Sequence, residues 1–91
     1  MDIKKIRNDF PTLQGEHSPA YLDNACVTLK PESVLKVIND YYTQTPGCGG
    51  RSVHRYGTKI SKQTSNARIK LQKFLNAGNP NEVVFTRNAT H

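Results

Sequence analysis

Residues 82–91 read Glu82-Val83-Val84-Phe85-Thr86-Arg87-Asn88-Ala89-Thr90-His91, and the fold class turns on them. Three consecutive apolar residues, Val83, Val84 and Phe85, predict a strand buried on both faces, as in a parallel sheet with helices on each side. A lone strand of that kind cannot satisfy its own backbone N–H and C=O groups, so it needs strand neighbours. The rest of the sequence offers only Ala20–Asp23 as a second, short extended run. The expectation is an α/β fold, incomplete as given, whose further strands lie outside these residues. Beyond Thr86 the small and polar residues Asn88, Ala89 and Thr90 predict a strand-to-helix turn.

Working upstream, Ile60, Thr64, Ala67, Leu71 and Phe74 recur at alternating spacings of four and three, which predicts a helix from about Thr58 to Ala77. Gly78 is expected to supply the left-handed residue that commonly ends a helix, and Pro80 prevents resumption. The preceding stretch, Pro46 to Gly57 (PGCGGRSVHRYG), carries four glycines and no periodicity, and reads as a loop. Before it, Pro31 suits a first helical turn. Val34, Val37, Ile38 and Tyr41 line one face of that helix, with Leu35 and Tyr42 widening the stripe. Glu32 stands near its positive dipole end. Nearest the N-terminus, Ile3, Ile6 and Phe10 predict a short helix from Asp2 to Phe10, stopped by Pro11. Thr12–Pro19 reads as a turn or loop.

Composition sets the wider bounds. With 91 residues the chain suffices for one small domain, of a size that buries only about 60% of its unfolded surface. Apolar residues make up 35% and there is no Trp. That supply is thin for an independent core, and much of the apolar surface is expected to meet something outside the chain. Two cysteines, Cys26 and Cys48, do not make a disulfide framework, and a reducing, cytoplasmic setting is the simplest expectation. The charged opening MDIKKIRNDF has no signal-peptide apolar run, and no segment approaches the roughly 20 apolar residues that span a bilayer.

The net charge is +6, and it is concentrated. No Asp or Glu falls between Tyr41 and Asn81, whereas Arg51, Arg55, Lys59, Lys62, Arg68, Lys70 and Lys73 all do. Such a stretch could make the chain a small basic binding module, following a nucleic-acid backbone or meeting another protein. It lacks interleaved aromatics apart from Tyr56, so a solvated basic helix face is the plainer reading and nucleic acid an alternative.

Three places could carry chemistry. A turn of small residues entering a helix presents backbone N–H groups to an anion, and Thr90 adds a hydroxyl donor; helix capping is the competing reading. In the glycine-rich loop, His54 could stack on a ring or move a proton, and Arg51 or Arg55 could pair with a carboxylate or phosphate. A solvated surface loop is the alternative there. Tyr21-Leu22-Asp23-Asn24-Ala25, a strand end with two short polar side chains, could line a site or form an Asx turn. A metal site from Cys26, Cys48 and His54 has neither paired-cysteine nor paired-histidine spacing behind it.

Taken in order, DFPTL, YLDNACVTLKPESVLKVINDYY, SVHRYGTKIS, NARIKLQKFLNA and EVVFTRNATH resemble the start of the class V pyridoxal-phosphate (PLP) enzymes. The likeness is nearest to the cysteine desulfurases that resemble selenocysteine lyases, and it covers nearly the whole chain. The resemblance implies an aspartate aminotransferase-like PLP-dependent transferase fold. Residues 1–91 would form its mostly helical N-terminal segment: a helix and loop over 1–20, a strand, helix and active-site loop over 21–57, and a helix and first strand of the large domain over 58–91.

The resemblance also implies roles. Ala89 and Thr90 match the pair that holds the PLP phosphate. Asn24 and Ala25 match the element along the substrate pocket. His54 matches the loop histidine beside the active site, in a catalytic position, and Arg55 the adjacent arginine that reaches the partner's site in dimeric relatives. The implied protein is a cytoplasmic homodimer that takes sulfur from L-cysteine, leaving alanine and a persulfide. In the family the Schiff-base lysine, the aspartate on the pyridine nitrogen and the nucleophilic cysteine lie far downstream, so residues 1–91 alone are expected to be inactive. The sequence departs from the family pattern at Cys26-Val27, Tyr56-Gly57, Asn88 and His91, and in the longer PGCGG loop. Another class V activity, such as an epimerase or lyase, therefore stays open beside the desulfurase.

Overall fold

The computed structural model describes residues 1–16 and 20–90. Pro19, placed in the first loop, and His91, the last residue of the turn motif, lie outside the described residues. The chain divides into two units, Met1–Gln44 and Thr45–His91.

In the first unit, helix α1 spans Ile3–Asn8, and the Asp2 carboxylate accepts from the Lys5 N–H as its N-cap. It stops two residues short of the expected Phe10, because Pro11 opens a 3₁₀ turn, Pro11–Leu13, rather than only ending what precedes it. The Gln14 carboxamide donates to the carbonyls of Arg7 and Phe10, which also accept from the Phe10 and Leu13 N–H groups, and so ties the end of α1 to the 3₁₀ turn. Helix α2 spans Glu32–Gln44, directly after Pro31 as expected. Its first amide, Glu32 N–H, donates to the Asp9 carbonyl at 2.7 Å, so the end of α1 caps the start of α2.

No strand forms at Ala20–Asp23; that segment has no regular secondary structure and passes into a turn at Asn24–Cys26. The expected apolar stripe of α2 is there but uncovered, with Val37 68% and Ile38 47% exposed.

The second unit is built on helix α3, Arg55–Phe74. It begins three residues earlier than expected, because His54 caps it and Gly57 is accommodated inside its first turn. It also ends earlier. The Ala77 N–H donates to Gln72 O and the Asn76 N–H to Lys73 O, the crossed pair of bonds of a Schellman ending. The left-handed residue in that ending is Asn76, at φ 55°, and not the expected Gly78. Asparagine tolerates that conformation better than other side-chain-bearing residues.

A second 3₁₀ turn, Pro80–Glu82, then returns the chain to α3. The expected strand over Glu82–Thr86 is not formed; among the described residues there is none. Val83 does take extended angles (φ −91°, ψ 115°), but a strand is defined by hydrogen bonds to a neighbour, and the described residues contain no second strand to make them. Val83 is nevertheless buried, the single buried hydrophobic among the described residues.

Candidate functional site

The loop before α3 is pinned to the helix through its glycines. Gly50 N–H donates to the Ser61 hydroxyl at 2.7 Å, with Gly50 itself at φ 80°. Ser52 N–H donates to Cys48 O at 3.2 Å. Gly57, inside the first turn of α3, is buried, and a Cβ there would lie 2.5 Å from the Ser52 carbonyl oxygen. A Cβ at Gly47 would likewise come within 2.9 Å of the Gly57 nitrogen. Backbones approach this closely because a glycine, Gly57 against Ser52 and Gly47 against Gly57, leaves out the side chain that would block the contact.

That packing delivers His54 to the N-cap position. Its Nδ1 accepts from the Gly57 N–H at 3.3 Å, which places the proton of the neutral ring on Nε2. The ring meets Tyr56 edge-on, with centroids 6.1 Å apart. The Arg55 guanidinium lies over the same Tyr56 ring at 5.2 Å. His54, Arg55 and Tyr56 together line a pocket of about 340 Å³. The sequence placed His54 and Arg55 in an irregular loop. The structure makes His54 a helix cap and Arg55 the first helical residue, so both side chains start from a fixed backbone.

Ala89 and Thr90 lie together in the exposed turn after Val83–Thr86. The Thr86 hydroxyl donates to Asn88 O at 3.1 Å, and the Thr90 N–H donates to Asn88 Oδ1 at 3.0 Å. The donor set, a main-chain amide and a hydroxyl on a small-residue turn, suits phosphate oxygens in kind. The Thr90 amide is engaged by the Asn88 carboxamide oxygen, a bond that an anion at this turn would have to replace. By the chemistry of its donors alone, the turn is compatible with a phosphate group such as that of PLP.

Asn24 and Ala25 belong to the first unit. Their turn is closed by the Asp23 main-chain carbonyl, which accepts from the N–H groups of Cys26 and Val27, both at 3.1 Å. The Tyr21 hydroxyl donates to the Val27 carbonyl and braces the turn from behind. Asn24 lines a pocket of about 330 Å³ with Arg7, Phe10, Leu13, Tyr21 and Leu29. Sequence reading placed Tyr21 in the same stretch as Asn24 but not its bond to Val27, because a hydrogen bond across six residues leaves no periodic trace.

Cys26 and Cys48 are free thiols. Among the described residues no group of three or more His, Cys, Asp or Glu is placed to hold a metal ion. No helix among them is long and apolar enough to cross a membrane.

Residues 20–91 match the family Aminotransferase class-V. The chain is similar to a "Probable cysteine desulfurase" of Synechocystis, 39% identical over 88 residues, which are 93% of this chain and 21% of the relative. A protein of the same name from Streptomyces coelicolor is 36% identical, covering 99% of this chain and 22% of the relative. One from Halalkalibacterium halodurans is also 36% identical, covering 99% and 23%. The chain thus spans about a fifth of the length of the curated relatives it matches.

Proposed function

The chain belongs to the aminotransferase class-V family, and on that premise we propose that it is the N-terminal segment of a PLP-dependent cysteine desulfurase-like enzyme. The complete protein would convert L-cysteine to L-alanine and a persulfide, as a homodimer in the cytoplasm. The observation that carries the reading is the similarity to proteins named as cysteine desulfurases along 93% or more of the chain. The local geometry supports it at two places.

At the Asn88–Thr90 turn, the Thr90 amide and hydroxyl and the Ala89 backbone would receive the phosphate of PLP. When bound, that cofactor supplies an electron sink for the bond-breaking chemistry. His54, held through Nδ1 by the start of α3, keeps Nε2–H as its outward donor, suited to hydrogen-bond an acceptor or to stack beside the cofactor ring. Arg55, steadied over Tyr56, offers a two-pronged donor for a carboxylate, either of the amino-acid substrate or in the partner subunit's site. Asn24 and Ala25 would flank the substrate.

The test is to express the full-length natural polypeptide that carries these residues, reconstitute it with PLP, and measure alanine and sulfide release from L-cysteine. Turnover on cysteine supports the reading. PLP binding with turnover only on other amino acids would keep the family and replace the substrate. The isolated 91-residue chain is expected to be inactive in the same assay.

His54→Asn separates the two duties of His54, because asparagine is a good N-cap. Thermal stability is expected to hold, while turnover falls by about a hundredfold, the lower range for a lost proton-transfer or positioning group.

A further inference from the structure

Most cations of α3 lie on one side. At about 100° per residue, Arg55, Lys59, Lys62, Lys70 and Lys73 fall within an arc of roughly 80°. Arg68 stands apart, roughly 120–180° from each of them. Its side chain is half-buried and its Nη1 donates to the Val83 carbonyl. The same guanidinium lies 5.0 Å over the centroid of the Phe85 ring. One side chain therefore grips alternate residues of the segment, one by its carbonyl and the next but one by its ring. A guanidinium can do both at once, because its N–H groups lie in its plane and its flat face is left for the ring.

We infer that Arg68 is a positioning residue for the phosphate-binding turn. It holds Val83 and Phe85 on α3, and so fixes the point from which Thr86, Asn88 and Thr90 turn outward. The connection is continuous: Arg68 to Val83 O and Phe85, then Thr86 Oγ to Asn88 O, then Asn88 Oδ1 to the Thr90 N–H. Val83, beside the arginine, is the single buried hydrophobic among the described residues, so the clamp sits where this segment is most firmly held. Arg68 itself touches no cofactor; it acts through the backbone it orients. The inference rests on the proposed role of Ala89 and Thr90.

The experiment compares two probes on the full-length natural polypeptide stripped of cofactor: PLP, and pyridoxal, which lacks only the phosphate. Wild type is expected to prefer PLP. Arg68→Ala is expected to weaken PLP binding by about tenfold, the scale of one charge-assisted hydrogen bond, while pyridoxal binding changes by less than about twofold. Arg68→Lys keeps a donor for Val83 but loses the planar face over Phe85, and is expected to fall between the two. If Arg68→Ala does not accumulate as folded protein, Arg68→Lys and Phe85→Leu carry the same comparison, each lowering the PLP-to-pyridoxal preference. Equal losses for both probes, or an unchanged preference, overturn the positioning role alone. A wild type without any preference for PLP overturns the phosphate reading and this inference with it.

Discussion

The N-terminal and C-terminal halves of α3 each hold a neighbouring segment, by opposite means. Residues 47–54 meet the first turns backbone to backbone, at places where Gly47 and Gly57 leave no room for a Cβ. Residues 83–85 meet the second half through one long side chain, Arg68. The first attachment is a steric fit, which tolerates nothing larger than hydrogen. The second is a tether, which tolerates variation in everything except the group that makes it. The difference matches the tasks proposed for the two ends. A histidine that must present one ring edge benefits from a rigid cap, whereas an extended segment suited to strand neighbours is held without being closed off.

The largest expected effect comes from Gly57→Ala, which tests the steric fit directly. The added methyl meets the Ser52 backbone, and overpacking of this kind costs about 1–3 kcal/mol. Chemical denaturation of the full-length protein should show the loss, and amide exchange should show faster opening around Ser52 and His54. A silent Gly57→Ala would mean that the loop is tethered too, and the contrast between the two ends would collapse.

Next is Asn76→Ala, at the other end of α3. Alanine pays about 1–2 kcal/mol to sit in the left-handed region, and the same denaturation measurement should register it. Asn76→Gly should instead be neutral or slightly stabilising, because glycine is the usual residue there. Ser61→Ala sharpens the N-terminal side further. It removes the acceptor of the Gly50 N–H, an exposed bond that water can replace, so a loss of about 0.5–1 kcal/mol is expected. The ordering Gly57, Asn76, Ser61 is the prediction; a Ser61 variant worse than Gly57→Ala would show that hydrogen bonding and not fit holds the loop.

The smallest effect lies in the first unit and serves as a reference for both ends. Lys36 and Asp40 pair at 2.7 Å one turn apart on α2. The hydrogen bond from Lys36 to Asp40, and then their opposite charges, raise the lysine above its ordinary value of 10.5, with burial opposing weakly. A raised folded-state value means that the contribution is complete below 10.5 and is lost as pH climbs through the shifted value. Stability should therefore decline slightly more steeply above that pH in the wild type than in Lys36→Gln. The pair is exposed, so the difference should be small and should shrink with added salt.

Sequence reading was accurate where the cause was local. The three helices follow from the spacing of Ile3 and Ile6, of Val34 to Tyr41, and of Ile60 to Phe74. Pro31 marks the start of α2 because its ring already has the right φ. Boundaries went astray where a tertiary contact moved them. α3 starts early because Ser52 packs against Gly57 and His54 caps the turn. The left-handed ending fell on Asn76 because the crossed bonds from Asn76 and Ala77 closed before Gly78 was reached.

The site divides in the same way. Residue types and order pointed to Asn24, Ala25, Arg51, His54, Arg55, Ala89 and Thr90 as places that could carry chemistry, and the roles proposed for them come from the resemblance to the family. What Tyr21 and Arg68 hold was not legible, since each works through a carbonyl distant in sequence: Val27 for one, Val83 for the other. The charge pattern held a clue to Arg68, which stands off the basic face of its helix, but a wheel shows only that a residue is out of place and not what it reaches.

The apolar run at Val83–Phe85 marks the limit. By itself the sequence determined the apolar character of this segment, but of the expected two-faced burial the structure shows only Val83, with Val84 75% and Phe85 48% exposed. Whether it becomes a strand was decided by tertiary structure alone. Strand pairing is a bond to another segment, and the Val83 carbonyl meets the Arg68 guanidinium instead.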